Sequence, residues 1–304
     1  MSNWNFFRLR MNINGAAAFD DSPTLFNLTE VSYRDFTVER GSVNSSTPWY
    51  SDIRIIGDKL YFIKGHLRKI FQYELSIPGD ITSTWTFQGE SGTFPLGGNA
   101  VEWGDKNRMF FNSTGDKLFV FGHLQEYPNT GMLFRYNLTT AWDITSVNTT
   151  TDQQVMITGW NEWASDMDIN WEGTEIIYTS VHPDTGEKSI VTIPLTTSWD
   201  LSTFNFQTMI YQPISGYLPS NFAYLKKGGN EYLISSGNPT VHIYKKVGSN
   251  WQFQGEGDIT GSGIIWIMCN DEDYVYALGM NAISHSGQNR VESYVFKYSI
   301  SEAT

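Results

Sequence analysis

Carboxylates and indoles recur together at intervals along this 304-residue chain. Trp49-Tyr-Ser-Asp-Ile53 parallels Trp163-Ala-Ser-Asp-Met167, and weaker relatives stand at Trp103-Gly-Asp105 and Tyr217-Leu-Pro-Ser-Asn221. An aromatic ring stacks on the C–H face of a sugar while fixed polar groups hold its hydroxyls. On that reading the candidate ligand-binding residues are Trp49, Ser51, Asp52, Trp103, Asp105, Trp163, Ser165, Asp166, Tyr217 and Asn221. The same residues also read as scaffold, each Trp packed between sheets and each Asp capping a turn. Hydrolysis of a glycosidic bond needs two carboxyl groups about 5 to 10 Å apart, one with a raised pKa to serve as acid. Asp52, Asp105, Asp166 and Asp168 are the residues that could supply them.

Other chemistries find less support. His66, His123, His182, His242 and His285 fall one per repeat and follow a strand, where metal ligands cannot converge to about 2 Å from one ion; they read as turn decoration. No Asp-x-Asp-x-Asp-Gly loop points to calcium, and no Ser-His-Asp or Cys-His arrangement is visible locally. Cys269 is the single cysteine; it can form no intrachain disulfide and reads as buried core. Neither a cofactor nor a metal is expected, and the chain is expected not to be an enzyme.

The elements that must position these residues are repeated. A Gly-rich turn followed by an apolar strand appears as Gly57-Asp-Lys-Leu-Tyr-Phe62, Gly115-Asp-Lys-Leu-Phe-Val120, Gly173-Thr-Glu-Ile-Ile-Tyr178 and Gly229-Asn-Glu-Tyr-Leu-Ile234, with a weaker copy ending in Tyr274-Val-Tyr276. The first strand residues Leu60, Leu118, Ile176, Tyr232 and Tyr274 stand 58, 58, 56 and 42 residues apart. A second unit follows each turn. Tyr73-Glu-Leu-Ser-Ile-Pro-Gly-Asp-Ile-Thr82 matches Tyr136-Asn-Leu-Thr-Thr-Ala-Trp-Asp-Ile-Thr145 and Ile193-Pro-Leu-Thr-Thr-Ser-Trp-Asp-Leu-Ser202. Its first half alternates like a strand, and its Asp and Thr are expected to bond their own backbone in a turn. The fourth copy, Ile243–Asn250, is a short hairpin. A third unit is the outer strand, at Trp85–Glu90, Val155–Thr158, Phe206–Tyr211 and Trp251–Glu256.

Four antiparallel strands repeated at about 40 to 60 residues predict propeller blades. The expected fold is an all-β, five-bladed β-propeller of four-stranded antiparallel blades over residues 21–304. The chain ends on Phe296–Ser301 with no outer strand after it, so Tyr33–Glu39 near the other end is expected to complete the last blade and cover its edge. Residues 1–20 have no partner in the repeat and read as an N-terminal arm or extra strand. The 11 Trp, 16 Tyr and 19 Phe suffice for a large core.

A net charge of −12 argues against nucleic acid, which needs clustered Lys and Arg; the basic doublets are Lys226-Lys227 and Lys245-Lys246. No apolar run is long enough to cross a membrane as a helix, and the N-terminus lacks the apolar core of a signal peptide. The expectation is a soluble protein made in a cytoplasm.

The string Tyr-x-Leu-(Ser/Thr)-x-x-Trp-Asp-Ile-(Ser/Thr), followed by a Gly-Asp-Lys-Leu-Tyr turn, resembles repeats in phage-encoded structural proteins. Three copies fit, at Tyr73–Ser83, Tyr136–Ser146 and Ile193–Thr203, while the fourth and fifth depart or are cut short. The resemblance implies a non-enzymatic virion component such as a decoration, fibre or tail-associated protein. It would be a homo-oligomer in the particle, docking on other virion proteins or host-surface glycans. A lectin-like carbohydrate-binding propeller and a five-bladed glycoside hydrolase are the alternatives. The known five-bladed hydrolase families carry one carboxylate from each of three blades, in contexts absent from this sequence.

Overall fold

The computed structural model describes residues 26–35, 50–64, 67–94, 107–124, 127–157, 166–182, 185–214, 221–236, 240–258, 263–269, 274–285 and 288–302. Strand β1 (Phe26–Asp35) precedes the repeats. The first repeat supplies β2 (Tyr50–Ile56), β3 (Lys59–Lys64), β4 (Lys69–Leu75) and β5 (Trp85–Glu90). The second supplies β6 (Arg108–Phe111), β7 (Lys117–Leu124), β8 (Tyr127–Asn137) and β9 (Gln153–Ile157). The third supplies β10 (Met167–Ile169), β11 (Glu175–Val181), β12 (Lys188–Pro194) and β13 (Ile210–Pro213). Then come β14 (Asn221–Lys227), β15 (Asn230–Ser236), β16 (Thr240–Val247) and β17 (Asn250–Asp258), and finally β18 (Gly263–Cys269), β19 (Tyr274–His285) and β20 (Gln288–Glu302).

These strands form five four-stranded sheets, in the orders β2-β3-β4-β5, β6-β7-β8-β9, β10-β11-β12-β13, β14-β15-β16-β17 and β18-β19-β20-β1. Neighbouring strands run antiparallel throughout. The chain is therefore an all-β propeller of four-stranded antiparallel blades. Its first strands lie against one another in sequence, β2 by β6, β6 by β10, β10 by β14 and β14 by β18, and β18 also lies by β2.

Strand β1 pairs with β20, Tyr33 opposite Phe296 and Phe26 opposite Glu302. The pairing thus begins earlier than the expected Tyr33–Glu39, because β20 runs on to Glu302 and offers partners that far. Residues 36–39 and the arm at 1–20 lie outside the described residues.

The second strand of each sheet explains why the repeat is legible. Leu60 and Phe62 pack with Ile53, Trp85 and Tyr276 on one side, whereas Tyr61 and Ile63 pack with Met109, Leu118 and Val120 on the other. In β7, Leu118 and Val120 face back toward the first sheet, and Phe119 and Phe121 face Ile176 and Tyr178 of the third. The first two sheets are each packed on both faces, so successive residues are all buried and the sequence reads as an unbroken apolar run. The turn before it needs a left-handed backbone, supplied by Gly57, Gly115, Gly173 and Gly229.

The Trp-Asp-Ile-Thr segment forms a 3₁₀ turn. Asp143 accepts from the Thr145 N–H at 2.9 Å and its hydroxyl at 2.7 Å, Asp80 does the same for Thr82, and Asp200 accepts from Ser202 N. The turn also fastens one sheet to the next. Ile144 is buried and its N–H donates to Gln72 Oε1 of the first sheet at 2.8 Å; Leu201 N donates to Gln153 Oε1 of the second at 2.9 Å.

Two local expectations are corrected. Phe206–Thr208 is a 3₁₀ turn capped by Asn205, and the outer strand begins only at Ile210. His242 is not turn decoration: it sits within β16, opposite Ser235 and Glu256, and is buried with its ring edge-on to Phe253. Strand β16 starts at Thr240, two residues before it, and so takes it into the sheet. His182 follows β11 and packs edge-on against Tyr211. His123 and His285 fall in β7 and β19, their side chains outside the described residues, as is His66 altogether. Among the described residues no group of three His, Cys, Asp or Glu could hold a metal ion, and no helix is long and apolar enough to cross a membrane.

Candidate functional site

Strand register aligns the first strands residue by residue. Ile55, Phe111, Ile169 and Leu225 each stand opposite the first core residue of the following strand, Leu60, Leu118, Ile176 and Tyr232. One position back, Arg54, Phe110, Asp168 and Tyr224 form one row, and two positions further back Asp52, Arg108, Asp166 and Phe222 form the row beneath it. Where the strands converge, charged residues alternate.

The deeper row is a closed ion network. Arg108 makes a bidentate pair with both oxygens of Asp166 and donates from Nη1 to Asp52 Oδ1 at 3.2 Å. Asp52 further accepts from Ile53 N at 2.9 Å and Met109 N at 2.8 Å. Asp166 accepts from Met167 N at 2.8 Å and from Phe222 N of the fourth sheet at 2.6 Å. Each carboxylate thus reaches across to a backbone N–H of the next sheet. Burial alone lowers the Arg108 pKa, but Asp166 and Asp52 outweigh it and keep the guanidinium charged. Burial pushes the Asp166 carboxyl up, and Arg108 pulls it back.

The upper row is more open. Arg54 donates from Nε to Met109 O at 2.9 Å, lies 4.8 Å from the Phe110 ring centre, and brings Nη2 to 3.8 Å from Asp168. Asp168 accepts from Ile169 N and Tyr224 N, both at 2.8 Å, and burial pushes its carboxyl up to about 6 against the pull of Arg54.

Above this row opens a cavity of about 190 Å³. Arg54 and Asp168 lie at its base, Asn112, Ser113 and Lys226 add polar groups, and Trp142, Trp171 and Trp199 line its wall. Lys226 is paired with Glu172. Trp142 and Trp199 are the indoles of the Trp-Asp-Ile-Thr turns, and both have left-handed backbones, φ 63° and 60°. For a bulky residue that conformation costs about 1–2 kcal/mol and is an outlier. The matching residue of the first repeat is Gly79, φ 68°, which adopts it freely. Each indole lies flat over the turn glycine of its own sheet: a Cβ on Gly115 would sit 2.1 Å from Trp142, and one on Gly173 2.2 Å from Trp199. Trp171 stands 58% exposed.

The candidates read from sequence fare unevenly. Asp52 and Asp166 are brought together, but as partners of Arg108, each fully buried. They cap no turn and line no open surface. Ser51 and Asn221 lie in β2 and β14 with side chains outside the described residues; Trp49, Trp103, Asp105, Trp163, Ser165 and Tyr217 lie outside them altogether. Sequence reasoning missed Arg108, Arg54 and the three cavity indoles.

No family model and no curated protein matches the chain in sequence. Solved structures do match in fold. A family 117 glycoside hydrolase of the marine bacterium Zobellia galactanivorans superposes at TM-score 0.50 with 9% identity, over 91% of both chains. Bacteroides ovatus xyloglucan PUL GH43B gives 0.51 and 14%, over 82% of this chain and 52% of that one. The endo-arabinase of Bacteroides thetaiotaomicron gives 0.50 and 12%, over 83% and 94%. At such identities the likeness establishes the fold alone. The expectation that the chain is not an enzyme loses its ground on this fold. That expectation rested on the lack of a catalytic signature in linear sequence, and this architecture is one that glycoside hydrolases use.

Proposed function

We propose that this chain is a carbohydrate-active propeller that takes a saccharide between Trp142, Trp171 and Trp199. The observation that carries the reading is the pair of indoles held in left-handed backbone where glycine serves the first repeat. Conformations of that kind persist where the surrounding structure fixes them, and they cluster at ligand sites. Flat aromatic walls over an Arg–Asp base match what a sugar offers, apolar faces and a rim of hydroxyls. The fold shared with glycoside hydrolases agrees with this. The test is a glycan array with the whole chain and its Trp171→Ala variant. Binding that weakens at least tenfold in the variant is expected; a chain that binds no glycan refutes the reading.

One of the two carboxyl groups that hydrolysis needs stands at the cavity. Asp168 borders the cavity with its carboxyl pushed up to about 6, the range suited to a general acid. Release of reducing ends from a polysaccharide by the wild type but not by Asp168→Asn would establish it; equal release by both would remove Asp168 from the reaction.

We also propose that the five sheets close into one ring, with β1 completing the last blade. The β1–β20 pairing and the position of β18 between β14 and β2 support this. The resemblance of the repeat to phage structural proteins supports a place on a virion, which mass spectrometry of purified particles would test.

A further inference from the structure

We infer that the cavity is a blind pocket for a single sugar unit at the end of a chain, not a groove along a polymer and not a channel through the ring. The inference rests on the carbohydrate reading above and deepens it. Size is the first ground: about 190 Å³ is well below the ~300–1,000 Å³ of pockets that take drug-sized ligands, so an oligosaccharide cannot lie inside. Depth is the second. Directly beneath Arg54 and Asp168 the next row is sealed, with Asp52 and Asp166 at 0% exposure and Arg108 and Phe222 at 2%. An open axis would wet these side chains. Instead, among the described residues, the Arg108 network occupies it with ion pairs whose acceptors also bind backbone N–H groups of four sheets. A sugar entering past Trp171 must therefore stop at the Arg54–Asp168 base.

Arg54 and Asp168 then present a cation and a carboxyl to the inserted unit. Such a base suits a ring with neighbouring hydroxyls, one accepting and one donating. Chain ends are recognised because only a terminal unit can enter.

The experiment compares, for glucose, galactose, xylose and arabinose, the methyl glycoside with the linear hexasaccharide of the same sugar, by quenching of tryptophan fluorescence in the full chain. For the preferred sugar the two dissociation constants are expected to agree within about threefold. The hexasaccharide should saturate at one molecule per protein, and both should weaken at least tenfold in Trp171→Ala, an exposed position whose loss spares the fold. A hexasaccharide at least tenfold tighter than its methyl glycoside overturns the single-unit pocket and leaves the carbohydrate reading standing. Binding unchanged in Trp171→Ala places the sugar elsewhere and overturns this site. No binding by any of the eight probes overturns both.

Discussion

Replacing Arg108 with methionine tests whether the axial network holds the inner strands together. The substitution keeps an unbranched, flexible stem but leaves Asp52 and Asp166 buried without their cation. Removing one partner of a buried pair costs about 3–5 kcal/mol, because the charge left behind stays desolvated. The lower end is expected here, since each carboxylate retains two backbone N–H donors. At about 2–4 °C per kcal/mol for a chain of this order of size, melting should fall by roughly 6–12 °C. The loss must also depend on pH. Without Arg108 only the Met167 and Phe222 N–H groups counter the burial that pushes the Asp166 carboxyl up, so protonation relieves the buried charge as pH falls. Urea unfolding at pH 7.5 and 5.5 measures both effects. The variant should lose more at pH 7.5 than at 5.5, and Arg108→Lys, which keeps charge without the bidentate fork, should fall between. A loss under 1 kcal/mol, or one equal at the two pH values, would refute the reasoning.

Two more perturbations follow from the structure. Gly115 and Gly57 share a left-handed backbone, φ 71° and 60°, but a Cβ meets the Trp142 ring at Gly115 and open space at Gly57. Gly57→Ala should cost about 1–2 kcal/mol from the backbone alone and keep saccharide binding, whereas Gly115→Ala should cost more and weaken binding, as thermal melts and fluorescence titrations would report. Asp168 binds its proton more tightly folded than unfolded, its carboxyl rising from 3.8 to about 6. Its contribution to stability is therefore present below pH 3.8 and lost as pH rises through about 6, on the order of 3 kcal/mol. Asp168→Asn should flatten the unfolding free energy between pH 4 and 7, above the range where Asp116, Asp152 and Asp200, held low by hydrogen bonds, take up protons. An unchanged slope would exclude Asp168 as its source.

Much of the architecture is legible because burial on both faces of β3, β7, β11 and β15 writes an unbroken apolar run after a glycine turn. The alternating strand and the Asp-x-Thr turn after it are equally local, and both form as read. The start of the pairing segment in β1 is not local: it depends on how far β20 extends. The axial network was hidden by a small irregularity. Five residues separate Ile55 from Leu60, but seven separate Phe111 from Leu118 and Ile169 from Ile176. The first hairpin is two residues shorter, so counting back equally from the repeat glycines misaligns Asp52 with Arg108 and Asp166. Alignment on the strands themselves shows an Arg between two Asp at one register. The cavity indoles stood inside the repeat string, but their direction follows from a left-handed backbone that only Gly79, at the same place, hints at.

The central claim places a saccharide against three indoles among eleven. Indole N–H resonances of the full chain, assigned by single Trp→Phe variants and titrated with the best methyl glycoside, test it directly. Shifts concentrated on Trp142, Trp171 and Trp199, saturating with one constant, are the predicted result. A bound sugar that leaves these three signals in place while moving others would contradict the account.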